Sequence, residues 1–157
     1  MDERETALFF FRKLVYLLYL EIGALKYRVH PALAEKARLN TAFFQREKER
    51  QANELYLGIE NETDLAKIQA PFEERTGLTL EDVHRVFREG DWHNRYGAYN
   101  FGGPKWQKIA EVTLELRGLI EQEDWNKASE LLYEIKGLKT NQGHLIHQFE
   151  RTERRRR

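Results

Sequence analysis

Residues 3–29 read ERETALFFFRKLVYLLYLEIGALKYRV, and this stretch decides the fold. It contains no proline and a single glycine. Leu8, Phe11, Val15, Leu18, Ile22 and Leu25 recur at three- and four-residue steps, which places them along one face of an α-helix. Phe9, Phe10, Tyr16, Leu17, Tyr19 and Leu20 add apolar surface on the other sides. A helix that is apolar nearly all round has to be covered on several sides. The spacing therefore predicts the central helix of a bundle, or one that also carries a homodimer interface.

The same stretch argues against a membrane span. Arg12 and Lys13 interrupt it, and the clean run from Leu14 to Leu20 is far shorter than the ~18–20 residues a bilayer requires. The start, MDERE, is acidic where a secretory signal would be basic. Cysteine is absent, which excludes disulfides and thiolate metal sites and fits a reducing compartment. The expectation is a cytoplasmic protein with no membrane contact.

Outward from this helix, His30-Pro31 forces a stop, because the residue before proline is pushed out of the α region. A second helix is expected from Pro31 to about Leu57, with Leu33, Ala37, Phe44, Ala52, Leu55 and then Ile59 in its inner stripe. Its middle, QREKERQ over 45–51, reads as a solvated face, and part of this helix is expected to project from the body. Asn61 or Thr63 is expected to cap a short helix carrying Leu65 and Ile68, broken or kinked at Pro71, with Phe72 packed on the core. Gly77 reads as a stop. Thr79 then caps a helix with Glu81 and Asp82 in its first turn and Leu80, Val83 and Phe87 inward, closing at Gly90.

Gly103-Pro104 restarts helix, with Trp106, Ile109, Ala110, Thr113, Leu116 and Ile120 on its inner face. A turn over 121–124 leads to a last helix in which Trp125, Ala128, Leu131, Leu132, Ile135, Leu138, Leu145 and Phe149 keep helical spacing. Gly137 and Gly143 mark a break, a kink or a close approach within it. No run of alternating β-branched residues demands a strand. The fold class is all-α: one bundle of five or six helices over 1–150, one long aromatic and glycine-rich loop, and a basic, disordered tail over 151–157.

Composition fits a globular domain, with 41% hydrophobic and 33% charged residues. Formal net charge is zero but unevenly spread: the tail RTERRRR carries a net of +4 and the rest of the chain a net of −4. Contact with nucleic acid is therefore expected only through the tail.

The segment that does not read as helix is GDWHNRYGAYNFGGPKW, residues 90–106. Its glycines free the backbone, and its aromatics supply large contact area with a polar edge. Trp92, His93, Asn94, Arg95, Tyr96, Tyr99 and Asn100 form the expected binding set, able to stack on and hydrogen-bond to a partner. Trp106 is expected to be buried at the start of its helix.

Two catalytic patterns compete with this. His144, His147 and Glu150 share one face if the last helix continues, and Glu81 with His84 forms a Glu-x-x-His pair of the kind found in di-iron bundles. A second such pair is missing, and Glu21 is the only further carboxylate placed to help. Separately, Arg88 and His93 are similar in spacing to the Arg-x4-His motif of the HEPN superfamily, helical domains that often dimerise and sometimes cleave RNA. The resemblance implies His93 as general acid/base and Arg88 as phosphate holder. The stretch DWNKASELLYEI, after a helix and a short turn, is similar to one helical hairpin of tetratricopeptide-type repeats, with no second copy at a period of about 34 residues. No nucleotide-binding glycine motif occurs, and the lone Ser129 has no suitable partner nearby in sequence. The sequence thus reads as a non-enzymatic binding or assembly module, without cofactor, homo-oligomeric and open to a protein partner. The competing class is an RNA-cleaving HEPN-like or metal-dependent helical enzyme.

Overall fold

A computed structural model of the chain describes residues 2–29, 35, 39–89, 103–140 and 143–144. Among them are six helices: α1 (Glu3–Val29), α2 (Thr41–Ile59), α3 (Leu65–Thr76), α4 (Leu80–Glu89), α5 (Gly103–Glu121) and α6 (Trp125–Gly137). Two two-residue strands follow, β1 (Lys139–Thr140) and β2 (Gly143–His144), paired antiparallel with Lys139 opposite His144. The architecture is an all-α bundle.

The first helix spans the predicted residues and occupies the centre. It packs against α2, α3, α5 and α6. Leu8, Phe11, Leu14, Val15 and Leu18 are fully buried with Ile22 on the same face, and Phe10, Tyr16, Leu17 and Tyr19 are buried on the other sides. The chain's own helices therefore cover α1 from Ala7 to Ile22, so surplus apolar surface on this segment is no argument for a dimer. Lys13 is also enclosed, and Arg12 is half-buried. Arg12 Nη1 donates to the Glu62 carbonyl at 2.7 Å, and burial pushes the guanidinium below its ordinary value. The Lys13 ammonium lies 4.1 Å from the Tyr56 ring centroid and 5.3 Å from that of Phe9, with no exposed surface.

The second helix differs from its expected bounds. It starts at Thr41, because Asn40 adopts a non-helical conformation (φ −143°, ψ 64°) and its side chain accepts from the Phe43 amide. Asparagine is among the strongest N-caps, so it opens a new helix inside what looked like a single run. His30-Pro31, Leu33 and Ala37 lie outside the described residues.

Asp64, not Asn61 or Thr63, caps α3, accepting from the Ala66 and Lys67 amides. The helix then runs through Pro71 without ending. A helical proline costs about 3 kcal/mol. Ile68 and Phe72, fully buried on either side of it, each return roughly 1.5–3 kcal/mol. Gly77 closes α3 at φ 71°, its amide donating to the Glu73 carbonyl. Thr79 and Asp82 then form a reciprocal box: the Asp82 amide donates to Thr79 Oγ1 at 3.1 Å, and the Thr79 amide donates to Asp82 Oδ2 at 3.0 Å.

The closing helix ends at Gly137, with Leu138 extended and the short β1–β2 pair beyond it. The longer helix expected from the spacing of Leu145 and Phe149 is therefore interrupted, and both residues lie outside the described set. Helices α5 and α6 pack together across the short turn between them, tied by Lys108 to Glu134 at 2.7 Å. The tail over 151–157 is outside the described residues.

Two outcomes test this local account. Gly77→Ala should destabilise the protein by about 1–2 kcal/mol, since any Cβ is strained at that positive φ. Urea titration reads this directly, and an unchanged midpoint would contradict the left-handed cap. The backbone and hydroxyl hydrogen bonds from Thr79 hold the Asp82 carboxyl below its ordinary value. A depressed folded value means stability that is present above the ordinary carboxylate range and lost as pH falls through the lowered value. Asp82→Asn keeps an acceptor but not the charge, so its stability should fall less steeply in acid than that of the wild type.

Candidate functional site

Three of the exposed large apolar side chains of the described surface lie on or beside α2, and the fourth, Tyr133, lies on α6. Leu39, just before the cap, is 69% exposed, Leu57 is 57% exposed and Phe43 is 47% exposed. The helix is two-faced. Ala52, Leu55, Tyr56 and Ile59, at helical spacing, are buried against the bundle. Phe43, Arg46, Arg50, Glu54 and Leu57, separated by three and four residues, share the opposite, outward face.

Between them runs an open groove of about 440 Å³, lined by Arg46, Glu49, Arg50, Asn53, Glu54 and Leu57. Its side chains are held by their neighbours. Arg50 grips Glu47 through two nitrogens, Nη2 to Oε1 at 2.5 Å and Nε to Oε2 at 3.1 Å, and reaches Glu54 Oε2 at 3.3 Å. Hydrogen bonding to Glu47 is the largest reason its guanidinium is raised from the ordinary value. Arg75 of α3 lies 3.6 Å from Glu54 Oε1 and donates to the Gln51 carbonyl at 3.4 Å. Asn53 accepts from the Tyr16 hydroxyl of α1 at 3.2 Å, fixing the groove floor to the central helix. An open, mixed-charge strip suits a macromolecular surface better than a small molecule, which favours an enclosed pocket. A second recess among the described residues, about 160 Å³ between Asp2, Glu3, Thr6 and the start of α6, is below the ~300 Å³ of ordinary ligand sites.

The sites read from sequence fare differently. Trp92, His93, Asn94, Arg95, Tyr96, Tyr99 and Asn100 all lie outside the described residues. The flanks of that stretch are placed: α4 and α5 pack along each other, and Phe87 and Trp106 meet with ring centroids 6.4 Å apart. Trp106 is buried, as expected. Arg88 is exposed in the last turn of α4, and its HEPN-like counterpart His93 is not described.

The metal-ligand patterns do not assemble where they can be followed. Glu81 pairs with Arg117, which also donates to Gln69 Oε1 at 2.7 Å. His84 turns instead to Glu111, with Nε2 3.8 Å from Oε1. His144 belongs to β2 and not to a helix, so the shared helical face with His147 and Glu150 is lost at its first member; the other two are not described. Among the described residues no three His, Cys, Asp or Glu side chains are grouped to hold a metal ion. None of the helices described is long and apolar enough to cross a membrane.

The outward face of α2 was legible only in part. QREKERQ signals a solvated face, but Phe43 and Leu57 at its two ends carry information only once the core side of the helix is known. Comparison with protein-family models, curated proteins and solved structures found no match.

The Phe87–Trp106 contact is testable. Trp106→Ala should lower stability by about 3–5 kcal/mol, as for large core aromatics. A melting or denaturant experiment showing no loss would mean that the base of the α4–α5 pair is not packed as described.

Proposed function

We propose that this protein is a non-enzymatic binding and assembly module whose contact surface is the outward face of α2. One observation carries the reading: Phe43 and Leu57 are exposed on the side of a core helix opposite its buried stripe, with arginines and a glutamate between them. Exposed aromatic, leucine and arginine side chains on one helix face are residue types that contact surfaces use. The cysteine-free sequence fits action in the cytoplasm, and homo-oligomerisation or a protein partner is the mode of use. On sequence grounds, residues 92–100 supply a second contact region, led by His93, Arg95 and Tyr99. Contact with nucleic acid falls to the basic tail.

A photo-cross-linking residue placed at position 57 in cells tests the reading. It should yield a defined higher-mass adduct, whereas the same residue at position 133, where Tyr133 is 79% exposed on α6, should not. No adduct from position 57, or equal capture from both positions, would remove α2 as the contact surface.

A further inference from the structure

We infer that the partner of the α2 face is a second copy of this chain, paired with it antiparallel about a twofold axis beside Arg50. This rests on the reading of that face as the contact surface and adds the occupant and the register.

The outward face is arranged symmetrically in position about Arg50. Phe43 and Leu57 stand seven residues to either side, and Arg46 and Glu54 stand four residues to either side. Steps of four and seven keep all five on one face of an α-helix. A twofold interface is self-complementary: if residue i meets residue j, then j meets i. With the axis at Arg50, each Phe43 faces the second copy's Leu57, and each Arg46 faces the second copy's Glu54. The apolar contact and the ion pair therefore each occur twice.

Charge and apolar matching together select this arrangement over its neighbours. Parallel pairing would set Arg46 against Arg46 and Glu54 against Glu54. Sliding the antiparallel pair by four residues brings Arg46 onto Arg50 in one direction and Arg50 onto Glu54 in the other, and either slide separates Phe43 from Leu57. Arg50 itself tolerates the axis because Glu47 and Glu54 already match its charge within the same helix. Arg46 is exposed and makes no ion pair among the described residues, which leaves it available to a second chain. Arg46 and Arg50 are balanced by Glu47 and Glu54, so the strip has no excess of one sign to attract a nucleic acid or an acidic peptide. The second copy meets the same balance in reverse order.

Charge reversal on the full chain gives the test, read by sedimentation equilibrium with circular dichroism as a check on folding. The wild type should move from 18.8 kDa towards twice that mass as concentration rises. Arg46→Glu alone and Glu54→Arg alone should each raise the dissociation constant by about tenfold or more, since each places two like-charge contacts in its own dimer. Mixing the two variants should restore association as a heterodimer. The glutamate introduced at position 46 of one chain then meets the arginine introduced at position 54 of the other, and the remaining native Arg46 and Glu54 meet each other. Leu57→Asp should abolish association without loss of helix. Three results would overturn the inference: a wild type monomeric up to about 100 µM, two decades above a micromolar constant; single variants that associate as the wild type does; or a mixture that fails to recover. An adduct from position 57 with a different protein would likewise overturn it while leaving α2 as a contact surface.

Discussion

Enclosure of α1 from Ala7 to Ile22 is the constraint on which the other helices depend. A helix carrying Leu8, Phe11, Leu14, Val15 and Leu18 on one side and Phe10, Tyr16, Leu17 and Tyr19 on others leaves no face for water. Four helices close around it, and each contributes a stripe in place of a full circumference. The enclosure is complete enough to take in Lys13. A buried ammonium costs several kcal/mol, and stacking over aromatic rings returns about 2 kcal/mol of that when the pair is desolvated. Tyr56 is the closer ring, and it belongs to α2. The same tyrosine packs edge-on against Tyr16, so one aromatic of α2 is fixed by two residues of α1.

Much of this was legible from residue spacing, for a physical reason. Burial follows helical periodicity wherever one side of a helix meets the core, so Leu80, Val83 and Phe87, and Ile109, Ala110, Leu116 and Ile120, are buried as their spacing implied. Boundaries were legible where backbone chemistry is unambiguous, as at Gly77 and the Thr79–Asp82 box. They were obscured where a polar side chain competes for a single backbone amide. Asn40 opens α2 and Asp64 opens α3 through one or two hydrogen bonds each, a local decision that spacing does not register. Pro71 shows the opposite case: a strong local veto is outweighed by Ile68 and Phe72, whose burial depends on distant residues.

The candidate surface was less legible than the fold because outwardness is defined by the rest of the molecule. In sequence, Phe43 and Phe44 are adjacent aromatics, and spacing alone assigned Phe44 to the inner stripe without giving Phe43 a role. Buried Ala52, Leu55, Tyr56 and Ile59 fix the inner direction, and Phe43 and Leu57 then fall opposite. The di-iron-like pair failed for a related reason. Glu81 and His84 are correctly spaced, yet their partners are set by α5, which presents Arg117 to one and Glu111 to the other.

The outward face of α2 is also tied to the core it faces away from. Asn53 at the groove floor holds the Tyr16 hydroxyl, and Glu54 at its edge is reached by Arg75 from α3. These links cross from the strip to α1 and α3 and hold Asn53 and Glu54 to the core. Anchoring lowers the side-chain entropy lost on association, which for long charged residues is about 0.5–1.5 kcal/mol each. Arg50 gains most, being gripped by Glu47 through two nitrogens. Exposed ion pairs contribute little to folding, with typical values of roughly 0.2–1 kcal/mol. A cluster of them between exposed Phe43 and Leu57 is therefore poorly explained by stability. On the proposed reading, the cluster holds the outward face of α2 in shape for contact.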